Sequence, residues 1–142
     1  MIPAVKIRTG KVFQMGSPDT DDLARENEKP QMWVKLTQDF YMGKYPITNA
    51  QYLQFLQETN ARTMNQTSHY AAAITSTGLA LVYDCQSPIK GKDFGLTWNI
   101  EEKKWETMPG YENSPAIYIT WHGAYEYAKW AGGTLPTEAQ WE

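Results

Sequence analysis

Cysteine and histidine are scarce in this 142-residue chain: one cysteine, Cys85, and two histidines, His69 and His122. A lone cysteine excludes an internal disulfide and any cysteine-rich zinc site. In "LVYDCQS" its neighbours Asp84 and Gln86 do nothing to lower a thiol pKa, so Cys85 reads as a structural or incidental thiol. His69 and His122 share no metal-ligand spacing, and neither lies in an H-x-x-x-H or H-E-x-x-H pattern. No G-x-G-x-x-G, Walker loop or G-x-S-x-G occurs. Basic residues are not in excess: 13 Lys and Arg stand against 16 Asp and Glu, a formal net charge of -3. That argues against a general nucleic-acid or anionic-membrane surface. No apolar run approaches the ~20 residues of a membrane span. The opening "MIPAVKIRTG" lacks the apolar stretch of a secretory signal, which leaves the compartment open.

Aromatic residues are plentiful, with six Trp and nine Tyr. Such rings bring apolar area with a polar handle that wants a partner. They fit a small irregular fold that uses large rings in place of long helices. They also fit a ring-lined surface for a sugar or peptide. With 42% apolar residues, the chain can bury the core of one domain.

The pattern predicts strands in "KVFQM" (11–15), "QMWVKLT" (31–37), "FYMGKY" (40–45) and "GLALVYD" (78–84). In the second, Met32, Val34 and Leu36 alternate against Trp33, Lys35 and Thr37. Between the first two, "DTDDLARENEKP" (19–30) brings Asp19, Asp21 and Asp22 close together. Their spacing does not fit a calcium loop, and Arg25 and Lys29 dilute the charge, so a solvated loop is expected. Residues 61–77 give little signal.

"LTWNIEEKKWETM" (96–108) predicts a hairpin with one Trp on each arm and a turn at "EEKK". "AIYITW" (116–121) predicts a buried strand running into a helix.

Two helices are well marked. In the first, Thr48 and Gln51 have capping-box spacing, and Ile47 and Tyr52 would staple its start. Tyr52, Leu53, Phe55 and Leu56 share one face, Gln51, Gln54, Gln57 and Glu58 the other, with fraying expected near Asn60. Thr120 can cap the second. Trp121, Ala124, Tyr125 and Ala128 would form its buried face, His122, Glu126 and Lys129 its wet one, and Gly132 and Gly133 its end. As a core residue, Trp121 would cost ~3–5 kcal/mol on truncation to alanine. Strands and helices are interspersed without regular alternation, so α+β with much irregular structure is expected.

The chain ends in "GGTLPTEAQWE". Thr137 and Gln140 form a third capping box, with Pro136 and Trp141 as its staple. Glu138 and Glu142, four apart, could be paired carboxylates, but nothing near them in sequence makes an acid–base centre. The residues alone nominate no catalytic, cofactor-binding or metal-binding residue.

Four segments, "VFQMGS" (12–17), "DFYMGKYPITNAQYLQFL" (39–56), "NSPAIYITWHGAYEYAKWAGG" (113–133) and "LPTEAQWE" (135–142), together resemble the formylglycine-generating enzyme, or sulfatase-modifying factor, family. The likeness covers nearly the whole chain and keeps the family's motif order. It departs where the family usually has Arg before L-P-T-E, here Thr134, where its second Glu is Gln140, and where a His is replaced around Met32. The resemblance implies an irregular C-type-lectin-like fold, consistent with the α+β reading. It also implies that residues 1–142 are the N-terminal half of a domain. The family's calcium loops, substrate groove and copper-holding cysteine pair belong to the other half.

On that resemblance no family catalytic residue falls on Cys85. The parent domain would oxidise a sulfatase cysteine to formylglycine. Alternatively it would be a ligand- or protein-binding module on the same scaffold. The implied partners are the C-terminal half and a sulfatase-type peptide or other protein. Trp130, Leu135 and Trp141 are then expected to face water.

Overall fold

The computed structural model describes residues 2–63, 70–75, 78–84 and 95–142. They form an α+β fold of nine short strands and three helices among the described residues. Two units can be distinguished: one is the chain up to Tyr45 together with Pro136–Glu142, the other Pro46–Leu135.

The first unit contains two antiparallel pairs. β1 (Ala4–Ile7) pairs with β4 (Phe40–Gly43), placing Val5 opposite Met42 and Ile7 opposite Phe40. β2 (Val12–Met15) pairs with β3 (Met32–Lys35), placing Phe13 opposite Val34 and Gln14 opposite Trp33. The alternation expected in 31–37 holds for Val34 and Leu36, both half-buried, but Met32 is exposed.

No described residue of this unit is fully buried. With so thin a core, polar ties matter. Asp39 accepts the Thr9 amide at 2.9 Å and the Lys6 ammonium at 3.0 Å. The Thr9 amide, then Lys6, hold the Asp39 carboxyl below its ordinary value of 3.8. Residues 19–30 form turns and one 3-10 turn, Glu26–Glu28. α3 (Glu138–Trp141) has the expected box, with Thr137 and Gln140 bonded reciprocally at 2.9 and 3.3 Å.

The second unit is built on α1 (Asn49–Glu58) and α2 (Trp121–Trp130). Thr48 and Gln51 make the predicted box at 2.9 and 3.3 Å. The next amides are also satisfied: Asn49 N–H donates to the Ser114 carbonyl and Ala50 N–H to Glu112, both at 2.9 Å. The loop before α2 thus covers the start of α1. At the other end Asn60 takes a left-handed conformation (φ 52), and the Ala61 amide reaches back to the Leu56 carbonyl at 2.8 Å. α2 closes in the same way, with Gly132 at φ 82 and the Gly133 amide on the Ala128 carbonyl at 2.8 Å.

β5 (Arg62–Thr63), β6 (Tyr70–Thr75) and β7 (Gly78–Asp84) form a three-stranded antiparallel sheet in that order. β8 (Leu96–Asn99) and β9 (Lys104–Thr107) form the predicted hairpin, with Trp98 opposite Trp105. Lys104 already belongs to β9, so the turn is one residue earlier than "EEKK". Asn99 Oδ1 organises it by accepting the amides of Glu101 and Glu102 at 3.1 and 3.0 Å.

The strand expected in "AIYITW" does not form. Tyr118 adopts φ 58, which breaks an extended chain, and only an isolated bridge joins Ile119 to Tyr83. The Ala116 amide instead bonds the Ile47 carbonyl at 2.8 Å.

Candidate functional site

The buried centre of the second unit is aromatic. Tyr52, Phe55 and Leu56 from α1 and Tyr127 from α2 are all buried. Tyr52 stacks on Tyr127 at 5.5 Å, and Phe55 lies edge-on to Tyr127 and Trp130 at 5.7 and 5.8 Å. The Tyr52 hydroxyl donates to the Val82 carbonyl of β7 at 2.7 Å. Burial, and secondarily Tyr127, raise its pKa far above the ordinary tyrosine value, so this phenol stays neutral and structural. Trp130, expected to face water, is half-buried, and its Nε1 donates to Glu58 at 2.9 Å, so it has a partner within the chain.

The buried face of α2 differs from the predicted one. Gly123 and Tyr127 point inward, whereas Trp121 is 63% exposed. The expected core role of Trp121 is therefore corrected. Both stripes of this helix carry rings, and the inward one is chosen by Gly123. Without a side chain there, the helix backbone can lie directly against the Val82 carbonyl; a Cβ would collide with that oxygen. This contact escaped the sequence reading, and the signal available was a glycine three residues after the Thr120 cap.

Outside, Trp121 stacks on Tyr125 at 5.3 Å with planes 10° apart. The Lys129 ammonium sits 5.3 Å from the Tyr125 ring, and His122 lies edge-on to Trp121 at 5.3 Å. His122 and Lys129 are exposed as expected, and Glu126 is half-buried. Trp121→Ala is expected to lower stability by less than about 1 kcal/mol, since exposed substitutions seldom cost more. A urea melt checks this; a loss near 3 kcal/mol would place the ring in a core after all.

In the first unit a cleft of about 320 Å³ is lined by Met15, Gly16, Glu28, Lys29, Glu138 and Glu142, among others. Glu138 and Glu142 thus do share a location, but Glu142 is already engaged: its Oε1 accepts the Gly16 amide at 2.8 Å. The Gly16 carbonyl takes Gln31 Nε2 at 3.0 Å, and the Ser17 amide donates to the Glu28 carbonyl at 2.7 Å. The Lys29 ammonium reaches the Asp19 carbonyl at 3.4 Å. The Gly16–Glu142 bond ties the M-G-S turn to a residue 126 positions away, and the bonds to Gln31 and Glu28 tie it to the 19–31 segment. They make the cleft a clamp between segments. Trp141 is 76% exposed, so the Pro136–Trp141 staple does not bury it. Leu135 is half-buried.

Cys85 and His69 lie outside the described residues. Among the described residues no three His, Cys, Asp or Glu side chains gather as a metal site, and no helix is long and apolar enough to cross a membrane.

The model of the "Sulfatase-modifying factor enzyme 1-like domain" matches residues 3–142. The chain is 28% identical over 138 residues to the formylglycine-generating enzyme of Thermomonospora curvata, covering 94% of this chain and 45% of that protein. Against the formylglycine-generating enzyme of Streptomyces coelicolor it is again 28% identical over 138 residues, covering 94% of this chain and 44% of that protein. It is also 32% identical over 133 residues to the serine/threonine-protein kinase Pkn1 of Chlamydia trachomatis, covering 94% of this chain and 18% of that protein. The chain spans less than half the length of these relatives. With a match running from residue 3 to residue 142, this chain belongs to the sulfatase-modifying factor family.

Proposed function

We propose that this chain supplies the N-terminal portion of a formylglycine-generating domain on a C-type-lectin-like scaffold, and that the whole domain oxidises a cysteine of a sulfatase-type substrate to formylglycine. The observation that carries the reading is the pairing of a match over nearly the entire chain with relatives named formylglycine-generating enzyme, of which it spans 44–45%. The role of this portion is structural. Capped α1 and α2 fix an aromatic core, and the Gly16–Glu142 clamp fixes the turn after β2. Its partners are the remaining portion of the domain and, through the assembled domain, a peptide carrying the target cysteine.

The copper that serves this family would supply the oxidative chemistry, and the residues present do not fit it. A soft Cu(I) ion prefers paired thiolates, and the chain carries a single cysteine. The carboxylates that line the cleft are hard oxygen donors, which a soft ion does not favour, and Glu142 is occupied by a backbone amide. The family's calcium would likewise be held by the remaining portion.

Titration with Cu(I) against a bidentate chelator tests this division. The chain is expected to leave the metal with the chelator, and to behave as its Cys85→Ala variant does. Stoichiometric capture of Cu(I) by the wild-type chain, lost in Cys85→Ala, would place copper chemistry in this portion and overturn the reading.

A further inference from the structure

We draw no further inference here: the strongest candidate, the stack of exposed Trp121 on Tyr125 beside Lys129 on the outer face of α2, is an aromatic surface patch, and nothing in the structure shows what covers it.

Discussion

Gly123→Ala is expected to destabilise the second unit by about 4 kcal/mol or more. Helix propensity alone argues the reverse, since alanine inside a helix is favoured over glycine by about 1 kcal/mol. Sterics decide the sign. The added Cβ would land on the Val82 carbonyl oxygen and against the Tyr52 hydroxyl that bonds it. The obstacle is main chain in β7, so no rotamer change relieves it. α2 must then lift away from β7, which breaks the 2.7 Å Tyr52–Val82 hydrogen bond and loosens the Tyr52–Tyr127 stack.

Overpacking typically costs 1–3 kcal/mol, and a rigid backbone obstacle puts this case at about 3 or more. Stranding the Val82 carbonyl adds roughly 1–3 kcal/mol. Set against the ~5–15 kcal/mol of an ordinary domain, a sum of about 4–6 kcal/mol is a large share of the stability. Urea unfolding followed by circular dichroism provides the readout. An alanine variant as stable as the wild type, or more so, would show that α2 does not approach β7 in this way.

Phe55→Ala is expected to cost ~3–5 kcal/mol, the usual range for deleting a buried aromatic side chain. Phe55 is 1% exposed and sits among Tyr52, Tyr127 and Trp130 at 5.3, 5.7 and 5.8 Å. Those rings come from both helices, so the cavity cannot close by moving one side chain. The contrast with Trp121→Ala makes the test specific. Both changes remove an aromatic ring from a capped ten-residue helix, yet only one removes it from the interior. Comparable losses from the two variants would refute the assignment of the inward faces.

Local chemistry made several of these elements legible in the sequence. The Thr48–Gln51 box, the Thr120 cap and the Gly132–Gly133 stop rest on hydrogen bonds within a few residues, and they fix α1 and α2 without reference to the rest of the chain. The 96–108 hairpin was readable for the same reason. What failed needed knowledge of distant partners. "AIYITW" has the apolar run of a buried strand, but its backbone bonds go to Ile47 and to a single bridge at Tyr83, and Tyr118 turns left-handed.

The two ring-bearing stripes of α2 look alike in sequence, and only the Val82 carbonyl breaks the tie. β1 was missed because four residues are too few to display a period, and its one half-buried position, Ile7, is not marked out in sequence from the apolar Ala4 and Val5. The clamp between Gly16 and Glu142 spans most of the chain, and no local pattern announces it. The family motifs, by contrast, could be recognised from their order before any contact was known.

Incubating the 142-residue chain with a C-x-P-x-R peptide, copper and oxygen, and following the peptide cysteine by mass spectrometry, tests most directly whether this portion is scaffold or catalyst. The account predicts no conversion to the aldehyde, because the chain has one thiol and a soft Cu(I) ion prefers paired thiolates. Conversion above the level of the Cys85→Ala variant would contradict it.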